Sequence, residues 1–298
     1  MGRSLSGPCQ HGSVPGSPSP PPRQRPIGVF DSGVGGLTVL HELLVALPHE
    51  DFVYLGDTGR FPYGIREPEE LERFALQIAE HLLRLRTKLL VVACNTAAAA
   101  ALPALHARMM ETTLGVDVVA VVGPESQLAV EATRNGRIGL LATPATVASG
   151  AYHRAVAAAD DMVELHAVPC PDLAPIIQGG FPFDQHVVDT VRAYCDPLRD
   201  AEVDTVILGC THYPLVAPML QRTLGRDVRL VSSGPAIARR VEHALEHRGL
   251  ANPRVDEGDY RFLCTGEVDA FRDLGTRFLQ MPLGEVVHVD LEREPAPA

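Results

Sequence analysis

Two cysteines, Cys94 and Cys210, stand where a thiol could do acid–base chemistry. Each ends an apolar run that predicts a buried strand, and each precedes a stretch that predicts a helix. Ligands of parallel α/β sheets bind outside the carboxyl ends of the strands. The positive end of a following helix should lower the pKa of a thiol there from about 8.5. A single cysteine of this kind is often only a small buried hydrophobe, but two in matched contexts favour a function for both.

The residues that follow the two cysteines are polar and could bind a substrate. They are Asn95, Thr96, Thr211 and His212. His212 could handle a proton beside its neighbouring thiol, or it could be a satisfied polar residue of a turn. A cysteine–histidine hydrolase is a competing use of the second pair, but it leaves no role for Cys94.

Two further turns follow the first two predicted strands. The first contains Asp31 and Ser32 and is rich in glycine, so its backbone N–H groups could hold an anion. It is not a dinucleotide fingerprint, because the GxGxxG pattern would need glycine where Thr38 stands. A plain turn capped by Asp31 and Ser32 is the alternative. The second turn contains Tyr63 and Gly64, which could line the same cleft or could only make the turn.

Composition removes several cofactor and partner classes. The 26 basic residues are 25 arginines and one lysine, Lys88, which is therefore the sole candidate for a pyridoxal phosphate Schiff base. The sequence contains no Gly-Lys pair for a phosphate-binding loop and no CxxC pair, and we expect neither a cofactor nor a metal. A net charge of −11 argues against nucleic-acid binding. No apolar run predicts a membrane span or a secretory signal, so we expect a cytoplasmic protein with reduced thiols.

Short apolar runs alternate with longer amphipathic stretches along the chain, which predicts α/β architecture with mostly parallel sheets. The predicted strands are 27–30, 52–55, 89–93, 118–122, 138–142, 163–168, 205–209, 228–231 and 261–264. Helices are predicted between them, for example from Pro68 to Arg86 and from Pro235 to Arg248.

A weak internal repeat predicts two similar lobes. RPIGVFDSG at 25–33 resembles GRIGLLATP at 136–144, and LLVVACNTA at 89–97 resembles TVILGCTHY at 205–213. Two lobes of this kind would face one cleft and bring both cysteines to it.

The predicted domain boundaries follow from this repeat and from the two ends of the chain. The first lobe is expected to comprise residues 26–117 and 228–284, and the second lobe residues 118–227. Residues 1–25 are rich in Pro, Ser and Gly and predict a disordered tail. Residues 285–298 are expected to form a second, flexible tail.

Five segments resemble the glutamate racemases of the aspartate/glutamate racemase family. They are DSGVGGLTVL, GDTGRFPYG, VVACNTA, TPATVASGAY and VILGCTHYPL, and the likeness extends from Arg25 to about Gly284. It implies a cofactor-independent enzyme whose two α/β lobes close over glutamate, and whose D-glutamate product supplies peptidoglycan synthesis.

The resemblance also implies roles for individual residues. Cys94 and Cys210 resemble the two catalytic acid/bases, Cys94 acting on D-glutamate and Cys210 on L-glutamate. The substrate-binding residues it implies are Asp31, Ser32, Tyr63, Gly64, Asn95, Thr96, Thr146, Thr211 and His212. Two positions depart from the family pattern: Gln178 stands where a glutamate is common, and Gly123 stands where an acidic residue is frequent.

Several alternatives stay open at this point. An aspartate racemase, or a racemase of another acid in the same superfamily, would share both thiols. A lyase or decarboxylase would be expected to need only one of them, and a non-catalytic amino-acid-binding regulator would not need two. We expect a small-molecule substrate and a homodimer, without nucleic acid or membrane partners.

Overall fold

The computed structural model describes residues 20–112, 115–180 and 184–292. Within them the strands, in chain order, are β1 (Ile27–Asp31), β2 (Phe52–Gly56), β3 (Leu89–Val92), β4 (Asp117–Ala120), β5 (Arg137–Ala142), β6 (Glu164–Pro169), β7 (Thr205–Gly209), β8 (Arg229–Val231), β9 (Tyr260–Cys264) and β10 (Val286–His288). The helices are α1 (Leu37–Ala46), α2 (Pro68–Arg84), α3 (Asn95–Glu111), α4 (Val122–Ala132), α5 (Pro144–Ala148), α6 (Ala151–Ala159), α7 (Leu173–Gln178), α8 (Gln185–Asp200), α9 (Ala217–Leu224), α10 (Ser233–His247) and α11 (Val268–Leu279).

The strands form two parallel sheets, which confirms the predicted fold class. The first sheet has the order β10-β9-β2-β1-β3-β4 and the second has the order β6-β5-β7-β8. All neighbouring strands run parallel. Strands β1, β2, β3 and β7 are buried along their whole length, as expected for parallel strands covered by helices on both faces.

The strand order agrees with the internal repeat of the sequence. The run β2-β1-β3-β4 in the first sheet has the same order as β6-β5-β7-β8 in the second. In this correspondence β1 matches β5 and β3 matches β7, the pairs that the repeated segments contain. The strands that precede Cys94 and Cys210 are therefore equivalent strands of two similar lobes.

The helices follow the amphipathic pattern of the sequence. In α2 the buried side chains recur at helical spacing, for example at Leu71, Phe74, Ile78 and Leu82, and the opposite face is charged. Helix α10 begins two residues before Pro235, because a proline in the first turn has no intrahelical N–H bond to lose. None of the helices in the described ranges combines the length and the apolar character that crossing a bilayer requires.

The sheets divide the chain differently from the predicted lobe boundaries at two strands. Strand β4 pairs with β3 in the first sheet, although the boundary at 118 placed most of it in the second lobe. Strand β8 pairs with β7 in the second sheet, although the boundary at 228 placed it in the first lobe. The chain therefore changes sheet through α4 and again through α10, and these two helices pack together. A sequence repeat locates equivalent strands, but the point where the chain crosses over is set by tertiary pairing.

The two predicted tails also require correction where the structure describes them. Residues 1–19 lie outside the described residues, but 22–24 form a 3₁₀ turn, and the carbonyl oxygen of Arg23 accepts a hydrogen bond from Lys88. Strand β10 lies within the predicted C-terminal tail and pairs with β9 at the edge of the first sheet. This strand has three residues and one pairing partner, so its sequence carries little strand signal.

Candidate active site

A small cavity lies where the carboxyl ends of strands from both sheets meet. Nine of the eleven predicted site residues line it: Ser32, Tyr63, Gly64, Cys94, Asn95, Thr96, Cys210, Thr211 and His212. Its volume of about 30 Å³ is room for about two water molecules. The two lobes therefore leave too little space between them for an amino acid in this conformation, which we call closed.

Cys94 caps helix α3 at the end of β3. Its Sγ accepts a hydrogen bond from the backbone N–H of Ala97 at 3.4 Å and lies 3.6 Å from Ser32 Oγ. The side chain is 4% exposed. This thiol therefore enters the cavity from the first lobe, held by a helix N-terminus and by the turn after β1.

Cys210 enters the cavity from the second lobe and is paired with His212. Its Sγ lies 3.8 Å from Nδ1 of His212, and the other ring nitrogen, Nε2, lies 2.9 Å from Oε1 of Gln178. Burial lowers the pKa of His212 to about 4, so the ring is neutral near pH 7. Because an amide oxygen only accepts, Nε2 carries the proton, and the lone pair of Nδ1 faces the Cys210 thiol.

Asp31 lies beneath the cavity and acts electrostatically on both thiols. It is fully buried, and it accepts hydrogen bonds from the Gly33 N–H at 2.9 Å and from the Thr211 hydroxyl at 3.2 Å. Burial raises the pKa of Asp31, and these hydrogen bonds oppose the rise. Its charge in turn raises the pKa of both Cys94 and Cys210. Asp31 does not line the cavity, so the closed structure shows it as a support beneath the substrate space.

The expected lowering of the cysteine pKa values is wrong for the closed site. Burial, with the charge of Asp31, raises the pKa of Cys94 to about 12, and burial raises the pKa of Cys210 well above its usual value. The helix N-terminus does act in the predicted direction, because the Ala97 N–H lowers the pKa of Cys94, but the loss of water outweighs it. Both thiols are therefore protonated in this closed state.

Tyr63 lines the cavity but directs its hydroxyl away to Asp57. Asp57 is fully buried and also accepts hydrogen bonds from Arg60 Nε and from the Thr265 hydroxyl, each at 2.6 Å. The neighbouring Gly64 packs closely on Thr143 of the other lobe, where a Cβ would stand 2.6 Å from Thr143 Cβ. The turn therefore lines the cavity with the Tyr63 ring and the Gly64 backbone, while the Tyr63 hydroxyl is bound to Asp57 outside the cavity.

Three threonine hydroxyls meet across the two lobes. Thr96 Oγ1 lies 2.9 Å from Thr143 Oγ1 and 3.1 Å from Thr146 Oγ1, and the last two are 2.9 Å apart. Thr96 and Thr143 line the cavity, whereas Thr146 lies behind them. Hydroxyl groups both donate and accept, so this cluster can turn its protons toward a bound carboxylate. Thr143 also lines the cavity and was not predicted from the sequence, although it begins the TPATVASGAY segment.

Asn95 is held by a buried network that the sequence did not predict. Its side-chain nitrogen donates to Tyr152 Oη at 2.6 Å and to Glu125 Oε2 at 3.1 Å, and Tyr152 Oη donates to the same Glu125 oxygen at 2.5 Å. All three side chains are at least 98% buried. Glu125 stands in the first turn of α4, where an acidic residue usually indicates an exposed helix start. Only the packing of α4 against α6 reveals its burial.

The sequence and the structure of the chain are both similar to those of known racemases. The profile of the Asp/Glu/Hydantoin racemase family matches residues 32–241. The chain is 40% identical over 270 residues to a glutamate racemase of Bacillus cereus, covering 91% of this chain and 98% of that protein. The structure is similar to glutamate racemase RacE1 of Bacillus anthracis, with a TM-score of 0.85 and 37% identity over 90% of this chain and 98% of that one. It is also similar to the glutamate racemase of Francisella tularensis in complex with D-glutamate, with a TM-score of 0.83 and 31% identity over 91% of this chain and 100% of that one.

Proposed function

The chain belongs to the Asp/Glu/Hydantoin racemase family and groups with its glutamate racemases, and from that premise we propose that it interconverts L- and D-glutamate through two opposed thiols. One observation carries this proposal. Cys94 and Cys210 end equivalent strands of two similar lobes and line one closed cavity. Racemisation needs a base on one face of Cα and an acid on the other, and two thiols from two lobes provide both.

Proton transfer then follows the direction of the reaction. Cys94 removes the Cα proton of D-glutamate while the Cys210 thiol donates a proton to the opposite face; for L-glutamate the two exchange roles. His212 supports the second thiol, because its unprotonated Nδ1 faces Sγ and can accept a hydrogen bond from the thiol while Cys210 holds its proton. One thiolate and one thiol are required at the start of each direction.

The substrate itself supplies the charge that a thiolate needs. In the closed cavity burial and the charge of Asp31 keep both thiols protonated. An α-ammonium group placed in the same water-poor space would favour the thiolate and offset Asp31. The threonine cluster and the backbone N–H groups after β3 and β7 can hold the carboxylates without any arginine.

Pyridoxal phosphate has no role in this proposal, because Lys88 is engaged elsewhere. Its ammonium group is buried, pairs with Glu50 at 2.5 Å, and donates to the carbonyl oxygens of Arg23 and Leu250. Lys88 is not among the residues that line the cavity. The reaction is therefore proposed to proceed on the protein's own side chains.

A chiral assay of L-glutamate, D-glutamate, L-aspartate and D-aspartate tests the function directly. It is run with chelator and without pyridoxal phosphate, in deuterated water, so that exchange at Cα is recorded together with inversion. We expect both glutamate enantiomers to be converted with deuterium at Cα, and aspartate to be converted far more slowly. Preferred conversion of aspartate would assign the chain to the alternative racemase, and glutamate binding without exchange would assign it to a regulator.

We further infer that the D-glutamate supplies peptidoglycan synthesis and that the enzyme acts in the cytoplasm as a homodimer. The cysteines of the described residues are free, buried thiols, as a reducing compartment maintains them. Depletion of the protein should be rescued by external D-glutamate, and light scattering of the purified protein measures the assembly.

A further inference from the structure

The buried carboxyl group of Glu125 stands next to the substrate space and has no counter-ion. Glu125 is fully buried on α4, and within the described residues it accepts hydrogen bonds from the neutral side chains of Asn95 and Tyr152. Within the described part of the chain no arginine, lysine or histidine acts on this carboxyl group. Arg239 and Arg240 of the neighbouring helix α10 are exposed and line a surface groove to which Glu125 does not contribute. An ionised carboxylate buried in this way is costly.

Two buried oxygen atoms without a hydrogen-bond partner indicate that the carboxyl group carries a proton. Oε1 of Glu125 and Oδ1 of Asn95 are both buried without a hydrogen-bond partner. They belong to two groups that are already joined, because the Asn95 nitrogen donates to the other oxygen of Glu125. A proton on Oε1 would turn one unpaired acceptor into a donor for the other. A carboxylic acid and an amide can pair in this way through two hydrogen bonds.

We propose that Glu125 works as a neutral carboxylic acid that positions Asn95, and that its proton serves the Asn95 carbonyl oxygen. Asn95 follows Cys94 directly and lines the cavity. Both N–H groups of its amide are used by Glu125 and Tyr152, so the second lone pair of Oδ1 is what the amide can present to the substrate, and this orientation must be kept. Tyr152 closes the network, since its hydroxyl accepts from Asn95 and donates to Glu125. Glu125 is thus a positioning residue on the helix through which the chain passes from the first sheet to the second.

The electrostatics of the site favour the neutral form. Burial raises the pKa of Glu125 to about 8, and the hydrogen bonds from Tyr152 and Asn95 only partly oppose this. A negative charge here would oppose thiolate formation and would repel the carboxylates of the substrate. A neutral acid gives Asn95 the same support without either penalty.

Replacing Glu125 by glutamine and by leucine tests whether its side chain acts as a neutral acid or as a charged carboxylate. In Glu125→Gln the amide can replace the acid as both donor and acceptor, so we expect kcat/KM for both glutamate enantiomers to stay within about threefold of wild type. In Glu125→Leu the Asn95 amide loses its support, and we expect KM to rise at least tenfold with a smaller fall in kcat, because Asn95 binds substrate. Glu131→Gln makes the same substitution on the exposed face of the same helix and is the matched control.

Infrared difference spectra measure the protonation state without reference to turnover. Wild type minus Glu125→Gln at pH 7 should show the carbonyl stretch of a protonated acid, whereas wild type minus Glu131→Gln should show carboxylate bands only. If Glu125→Leu does not fold, Tyr152→Phe provides the weakened network, with an expected rise in KM. The proposal is wrong if the glutamine variant is as impaired as the leucine or phenylalanine variant, if those variants bind glutamate normally, or if the spectrum shows an ionised Glu125. This positioning role rests on the proposed racemase function, but the infrared band does not, so failure of one is distinguishable from failure of the other.

Discussion

At the residue scale, the central prediction concerns the separate roles of the two thiols. Cys94→Ala and Cys210→Ala should each abolish racemisation, because every turnover needs one thiol as base and the other as acid. A substrate analogue with a leaving group on Cβ turns each half-reaction into an elimination that needs no second proton donor. Cys94→Ala should then process only the L-analogue, and Cys210→Ala only the D-analogue, in an assay of the released group.

The control for the thiol experiment is a cysteine outside the cavity. Cys195 is buried on α8 and does not line the site, so Cys195→Ala should leave both racemisation and elimination near wild type. Racemisation by a single-thiol variant, or the same enantiomer preference in both variants, would contradict the opposed arrangement.

A second residue-scale prediction concerns Gln178, which departs from the common family pattern. In Gln178→Glu a carboxylate would face Nε2 of His212, whose pKa burial now lowers to about 4. An adjacent negative charge favours the imidazolium form, and an imidazolium beside Cys210 favours its thiolate. We expect the rising limb of kcat/KM against pH for L-glutamate to move to lower pH. Gln127→Glu places the same change on an exposed part of α4 and should leave the profile unchanged; an equal shift in both variants would contradict a local effect.

The sequence predicted most residues around the cavity but missed two buried carboxyl groups that support them, Glu125 and Asp57. Cys94 and Cys210 are recognisable because each ends an apolar strand, and their polar neighbours follow in the chain. Glu125 and Asp57 are not recognisable, because a carboxylate in a helix start or a turn is usually solvated. Their burial results from packing between elements that are distant in sequence. The catalytic and binding roles of the predicted residues stay predictions until the variants are measured.

At the element scale, glycines allow the turn after β1 to approach the other lobe. A Cβ on Gly35 would stand 2.4 Å from Thr211 Oγ1 and 2.5 Å from His212 Nδ1. Gly35→Ala must therefore displace the turn that carries Cys210 and its partner, and we expect kcat to fall at least tenfold while the midpoint of thermal unfolding changes little. The comparison is Gly123→Ala on α4, where a Cβ meets nothing within 4 Å. That variant should keep full activity and gain up to about 1 kcal/mol of stability. Equal activity losses in both variants would rule out the close-approach explanation.

The elements themselves were largely readable from the sequence, and the exceptions have a common cause. All nine predicted strands correspond to β1–β9 within two residues at each end. The missed strand β10 and the misplaced strands β4 and β8 lie at sheet edges. An edge strand has one partner and a less complete apolar pattern, so its existence and its sheet depend on contacts that periodicity does not encode.

At the scale of the whole molecule, the buried acid of α4 should make stability depend on pH. The pKa of Glu125 is raised to about 8 in the folded state, against about 4.3 in an unfolded chain. The folded state therefore holds this proton more tightly, and the resulting stabilisation is complete below about pH 4 and is lost as the pH rises through about 8. Urea unfolding at several pH values should show the free energy of unfolding of wild type falling relative to that of Glu125→Gln across this range. A difference that does not vary with pH would show that Glu125 is ionised in the folded protein.

The last prediction concerns how the N-terminal segment is joined to the rest of the fold. Lys88 is buried at the start of β3, and one of its three acceptors is the carbonyl oxygen of Arg23, at 2.7 Å. A chain that begins at Arg25 lacks this acceptor, whereas a chain that begins at Pro20 keeps it. A hydrogen bond to a charged group contributes about 1.5–3 kcal/mol, and we expect the shorter chain to be less stable than the longer one by about that amount in urea unfolding. Racemase activity should be equal in the two, because Lys88 lies outside the cavity. Equal stabilities would mean that water replaces the Arg23 carbonyl without a loss of free energy of unfolding. Glu50 and the Leu250 carbonyl would then be sufficient to stabilise the buried Lys88 ammonium group.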